Sequence, residues 1–202
     1  MNRRAILLLL SLGAVAIVAG ALLARLLGGS VPLESGTWLP RARPLAEFHL
    51  HDLSGRDFTR DNLRGHPTLL FFGFTNCPDV CPTTLAMLAQ LQRRPPLPGA
   101  EVVFVSIDPE RDSTALLQVY LGSFSKDFIG LRGDQAALAP LLKSLSAIAV
   151  RENLPNGGYT MDHSATLYLL DSNARLVAVF SPPFSPTTLA TDLHQAGVAQ
   201  RL

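Results

Sequence analysis

Apolar and polar positions along this chain change their period from block to block. Residues 68–73, Thr-Leu-Leu-Phe-Phe-Gly, are apolar almost without a break, the pattern of a strand covered on both faces. Residues 83–92 place Leu85, Leu88, Ala89 and Leu91 at helical spacing, and the Pro- and Gly-rich stretch 94–99 ends that helix. A second buried strand is predicted over 102–107. Asp112 or Ser113 is positioned to cap a helix reaching Leu121. A short strand follows at 129–131. Asp134 caps a helix to about Ala147 in which Pro140 predicts a kink, and 147–151 reads as extended. Residues 165–170 and 176–180 form a hairpin about the turn at 171–174, and Ser185 with Pro186 opens a last helix to about Ala199. Ahead of these, 48–53 and 57–59 predict a small hairpin. Strand and helix alternate and then close on a hairpin and a helix, which predicts an α/β fold, a sheet flanked by helices.

The first 27 residues follow another rule. Met-Asn-Arg-Arg precedes an uncharged run over 5–24, long enough to cross the hydrocarbon core of a bilayer. A secretory signal has a shorter apolar region. Cleavage near the small residues 18–21 is the alternative, and length favours an N-terminal transmembrane helix as a retained anchor. Arg3 and Arg4 orient it with the N-terminus in the cytoplasm and the remainder in the periplasm or extracytoplasmic space. Residues 28–46, rich in Gly, Pro and Arg, read as a linker, and 47–202 as the folded domain. The formal net charge of +1 gives no footprint for nucleic acid.

The candidate chemistry is concentrated in Cys77 and Cys81, the 2 cysteines of the 202 residues. They lie at the junction of the strand 68–73 and the helix after it, where ligands collect in α/β folds. Four residues apart, they share a helix face, and a helix N-terminus favours thiolate. A structural disulfide is the common fate of two cysteines in an oxidising compartment. Yet closing a loop of about five residues stabilises a fold by only about 2 kcal/mol, against about 4.7 for a loop of about a hundred. Metal binding and dithiol exchange therefore lead. A zinc site needs four ligands, and here only Asp79 adds to the sulfurs locally. Two thiolates with one imidazole would suit a soft ion of low coordination, Cu(I) above all.

His49 and His51 alternate on one strand face and read as exposed. His66 sits before a proline in a loop, and His194 lies in the last helix. All four read as surface or capping residues. His163 stands in a flexible loop, 157–163, that leads into the strand 165–170. By spacing alone it is either a satisfied polar group or a ligand.

Three blocks now act together: Phe-Gly-Phe-Thr-Asn-Cys-Pro-Asp-Val-Cys-Pro at 72–82, Val-Ser-Ile-Asp-Pro-Glu-Arg-Asp at 105–112 and Asp-His-Ser-Ala-Thr-Leu-Tyr-Leu-Leu-Asp at 162–171. In this order they resemble the Sco/SenC family, membrane-tethered, thioredoxin-like copper proteins that help to assemble cytochrome c oxidase. The resemblance spans about 48–198. It implies a thioredoxin-like domain, copper (Cu(I), with Cu(II) as a second state) held by Cys77, Cys81 and His163, and Asp79, Asp108, Asp112 and Asp162 as carboxylates around those ligands. For Asp108 and Asp112 the competing assignment is strand termination and helix capping. The implied partners are cytochrome c oxidase subunit II and an upstream periplasmic copper donor. The implied role is a copper metallochaperone rather than an enzyme, with a thiol–disulfide oxidoreductase or a copper or redox sensor as alternatives. Thioredoxins carry a proline where this chain has His-Ser-Ala-Thr and one residue fewer between their cysteines, and both departures point towards metal.

Overall fold

The computed structural model describes residues 19–20, 33–93, 100–155 and 157–195. The chain divides into a unit of residues 1–31 and one of residues 32–202. The anchor expected over 1–27 lies outside the described residues, apart from Ala19 and Gly20. Among the described residues no helix is long and apolar enough to cross a membrane. The proline-rich stretch 94–99 and residues 196–199, into which the last helix was expected to run, also lie outside them.

Among the described residues of the second unit, ten strands and four α-helices run in the order β1 (Gly36–Pro44), β2 (His49–Asp52), β3 (Asp57–Thr59), β4 (Thr68–Gly73), α1 (Val80–Gln92), β5 (Glu101–Ser106), α2 (Thr114–Gly122), β6 (Ile129–Arg132), α3 (Gln135–Leu145), β7 (Ala149–Asn153), β8 (Tyr159–His163), β9 (Leu167–Leu170), β10 (Arg175–Phe180) and α4 (Pro186–Gln195). A single 3-10 turn, Arg60–Leu63, follows β3. Eight strands make one sheet in the order β1-β10-β9-β4-β5-β6-β2-β3, and β7 and β8 make a separate two-stranded sheet. β4, β5 and β6 are parallel neighbours, while β9 runs antiparallel to β4.

The α/β class expected from the pattern is the one observed, and its centre has a direct cause. All six residues of β4 are buried, as are five of the six in β5, so both faces of the central pair are covered. Phe71, Phe72, Phe104 and Phe180 supply much of that core. Phe72 meets Tyr168 of β9 edge to face at 5.8 Å. The caps act where expected. Ser113 Oγ accepts the amide of Leu116 at 3.2 Å, and Asp134 accepts that of Ala137 at 2.8 Å. α3 runs through Pro140 and ends at Ser146 in the left-handed region, φ 55. The β9–β10 turn is folded by buried Asp171, which accepts the amides of Asn173 (3.0 Å) and Arg175 (2.9 Å).

Two segments depart from expectation. Half of the stretch read as a linker is β1, paired with β10 at the sheet edge. Buried Asp192 of α4 explains this order: it accepts the amides of Glu34 and Ser35, both at 2.8 Å, and the Ser35 hydroxyl at 2.6 Å. The segment before His163, read as a flexible loop, is strand β8. It pairs residue for residue with β7 from Tyr159 opposite Asn153 to His163 opposite Ala149.

Candidate metal centre

β4 ends at Gly73, and the chain turns through 74–79 into α1, which begins three residues earlier than its apolar spacing suggests and so takes in Cys81. Cys77 stands in the turn and Cys81 in the first helical turn. Both are free thiols, with Cys77 8% exposed and Cys81 fully buried. The first amides of a helix have no partner within it. Asp79 occupies the N-cap, but its side chain does not cap α1, and the Thr83 hydroxyl donates to it at 3.3 Å. The Cys77 sulfur does what Asp79 leaves undone, accepting the amide of Cys81 at 3.4 Å.

This geometry splits the two thiols. The hydrogen bond from the Cys81 thiol lowers Cys77 from 9.0 to about 4. Burial opposes the drop, and His163 and the Cys81 amide add to it. Cys81 is pushed far above the ordinary thiol range, first by giving its hydrogen to Cys77 and then by burial. Cys77 is thus the more readily ionised of the pair and Cys81 the less.

Room for the inner sulfur is made by Gly73. A Cβ there would sit 2.7 Å from Phe104 Cε2 and 3.0 Å from Cys81 Sγ. The turn itself is held from below by Asp112, fully buried, which accepts the Thr75 hydroxyl at 2.6 Å, the Thr75 amide at 3.2 Å and the Ser106 hydroxyl at 2.6 Å.

His163 comes from the far end of β8. Its Nδ1 donates to the Ser164 carbonyl at 3.2 Å, which leaves Nε2 free to face Cys81 Sγ at 3.6 Å. The edges of Phe71 and Phe74 flank the imidazole, with centroids at 6.2 and 5.8 Å. One donor atom from each of Cys77, Cys81 and His163 lies within 4.8 Å of the others, so the three could hold a metal ion. Two sulfurs, one of them with a depressed thiol, and one imidazole nitrogen are the donor set that a soft ion such as copper prefers.

The four carboxylates expected around the ligands differ in their surroundings. Asp79 is exposed at the helix start. Asp162 is exposed and adjoins His163 on β8, where successive side chains take opposite faces. Asp108 and Asp112 are buried and hold backbone and side chains in place. The capping alternative for Asp112 falls to Ser113 instead. His49, His51 and His194 are exposed, and His66 lies 3.5 Å from Glu101, all apart from the sulfurs. Residue spacing did not single out Gly73, Thr75 or Phe74. A glycine closing an all-apolar strand just before a cysteine pair was the available signal for the first.

An α/β domain that sets a Cys-x-x-x-Cys helix start against a strand-borne histidine defines a thioredoxin-like metal-site protein. The model of the SCO1/SenC family matches residues 39–197, and the chain belongs to that family. It is 35% identical over 137 residues to a SCO2-like protein of Rickettsia prowazekii, covering 66% of this chain and 67% of that one. ScoI of Bradyrhizobium japonicum, solved with copper bound, superposes with a TM-score of 0.67 at 39% identity, over 75% of this chain and 98% of that one. The apo Sco1 protein of Thermus thermophilus gives a TM-score of 0.72 at 32% identity, over 84% and 99% of the two chains.

Proposed function

We propose that this protein is a copper metallochaperone whose cargo is held by Cys77, Cys81 and His163 and delivered to the binuclear copper site of cytochrome c oxidase subunit II. The convergence of the three donor atoms within 4.8 Å carries the reading. Cys77 is the outermost sulfur and already a thiolate, so ligand exchange with a thiolate of the recipient begins there. Cys81, buried beneath it, is the last sulfur to let go. The copper arrives from an upstream periplasmic donor. Residues 1–27 act as a single-pass anchor in the inner membrane with the folded domain in the periplasm, which keeps donor and recipient at high effective concentration.

Anaerobic Cu(I) titration of the reduced domain from about Gly29 onward tests this. One copper per chain is expected, abolished by Cys77→Ser and weakened by His163→Ala. A reduced domain that takes up no copper sinks the proposal.

The depressed Cys77 thiol favours a second reading, a thiol–disulfide oxidoreductase that keeps the recipient's cysteines reduced. The Cys77 thiolate attacks a disulfide of the partner and forms a mixed disulfide, and one partner sulfur leaves as thiolate. Cys81, deprotonated in turn, attacks Cys77 and releases the second, so the partner gains two electrons and this protein ends as the Cys77–Cys81 disulfide. His163→Ala separates the two: it impairs copper retention and leaves disulfide reduction largely intact.

A further inference from the structure

We propose that Asp108, Arg111 and Tyr159 form a latch between the segment after β5 and the β7–β8 hairpin, and that this latch sets the His163 imidazole over the cysteine pair. The three are positioning residues for the metal centre, and the inference rests on the copper reading above.

The hairpin needs such a device. β7 and β8 pair with each other and, among the described residues, share no ladder with the eight-stranded sheet. One metal ligand therefore rides on a hairpin whose ladder is separate from the sheet leading to the other two, joined to it by the chain from His163 into β9, which pairs with β4. Side chains add a second connection at Tyr159, four residues before His163 on the same strand face.

Tyr159 is held on every side. Its hydroxyl donates to Asp108 Oδ1 at 2.8 Å. Its carbonyl accepts Arg111 Nη1 at 2.9 Å. Arg111 Nε pairs with Asp108 Oδ2, which closes the triangle. The Arg111 guanidinium lies 3.7 Å from the centroid of the Tyr159 ring, and that of Arg151 lies 3.8 Å from the same centroid. Two groups this close to one centroid must occupy opposite faces, so the ring is sandwiched between cations. Arg151 in turn donates to Glu110 at 2.9 Å, a second tie across the same gap.

The other end of the latch is rigid and belongs to the cysteines. Asp108 is 2% exposed, and its carbonyl accepts the amides of Arg111 (3.2 Å) and Asp112 (2.9 Å). The Ile107 amide donates to the Gly73 carbonyl at 3.0 Å, and Asp112 grips Thr75, so the segment 107–112 is fastened to the turn that presents Cys77. Arg111 also reaches over Phe74, 5.8 Å to its centroid, and Phe74 abuts the His163 ring. Arg111 thus braces His163 twice, through Tyr159 along β8 and through Phe74 directly. None of these residues offers an atom to the metal. Their effect is on where Nε2 sits.

The test combines Cu(I) competition titration with hydrogen exchange of the copper-free protein, on Tyr159→Ala, Tyr159→Phe, His163→Ala and the Tyr159→Ala/His163→Ala pair. Tyr159→Ala is expected to weaken copper binding ~10- to 100-fold, the range for residues that orient a ligand. Tyr159→Phe, which keeps the stacked ring and loses the bond to Asp108, is expected to fall between. In the His163→Ala background, Tyr159→Ala should add nothing, because its effect passes through the missing imidazole. In the copper-free protein, the β8 amides of Tyr159→Ala should exchange faster while those of β4 and β5 stay as they were. An equal loss of affinity with and without His163, or unchanged β8 exchange, overturns the latch. Failure of the unsubstituted protein to bind copper overturns the metallochaperone reading instead, and the exchange measurement still decides the latch.

Discussion

Cys77 and Cys81 stand a single helical turn apart, yet their surroundings give them opposite properties. With the Cys77 thiol lowered to about 4 and Cys81 raised, alkylation of the reduced copper-free protein should modify Cys77 first. The sign follows from linkage. A depressed thiol stays ionised across neutral pH, so the rate should be flat from about pH 8 to pH 6 and fall as the pH drops through about 4. Peptide mass mapping of the labelled protein checks this, and a rate that climbs tenfold per pH unit through neutrality contradicts it. The same group contributes to stability above the ordinary thiol range, and that contribution fades as the pH falls towards 4. Gly73 gives a second prediction at this scale. Gly73→Ala forces a methyl group against Phe104 and Cys81 Sγ and should cost about 1–3 kcal/mol in urea unfolding. It should also weaken copper retention, because the crowded atom is itself a ligand.

At the scale of elements, Asp112 ties the turn between β4 and α1 to the end of β5. Asp112→Ala strands the buried Ser106 hydroxyl and the Thr75 amide, and a loss of about 3 kcal/mol is expected. Urea midpoints measure it, and Asp112→Asn should recover part of it by keeping an acceptor. This element was only half legible in the sequence. β4 and β5 announce themselves because burial on both faces writes an unbroken apolar run. β8 does not, because Tyr159, Met161 and His163 alternate with polar residues over a short span beside glycines. Its strand character comes from β7 rather than from its own composition. β1 hides for a related reason: its arginines and prolines resemble a linker, and what orders its start is Asp192, 157 and 158 residues away. The cysteines were readable from spacing, and His163 only from its resemblance to a known block. Tyr159 and Arg111 were not readable at all, since their roles exist only where two distant segments meet.

For the whole molecule, copper should act as a stabiliser, because the three donors converge only in the folded chain. Free Cu(I) at a thousandfold excess over its dissociation constant should raise stability by about 4 kcal/mol, seen as a higher melting temperature that Cys77→Ser abolishes. Asp192→Ala should release the start of β1 from α4. Limited proteolysis would then cut within 33–44 while the rest of the domain stays intact, and an unchanged digestion pattern would contradict that role. The separate β7–β8 sheet carries a further consequence. His163 lies opposite Ala149, and Asp162 lies opposite Val150. A shift of one residue in that pairing would turn the imidazole away from the sulfurs and bring a carboxylate oxygen in its place. Sulfur with oxygen invites harder ions than sulfur with nitrogen. The turn between the two strands, where Leu154 donates to the Gly158 carbonyl at 2.7 Å and Gly157 takes φ 87, therefore helps to fix which side chain faces the sulfurs. A single insertion there should exchange an imidazole for a carboxylate beside the sulfurs and weaken Cu(I) binding, although none of the three ligand residues has been substituted.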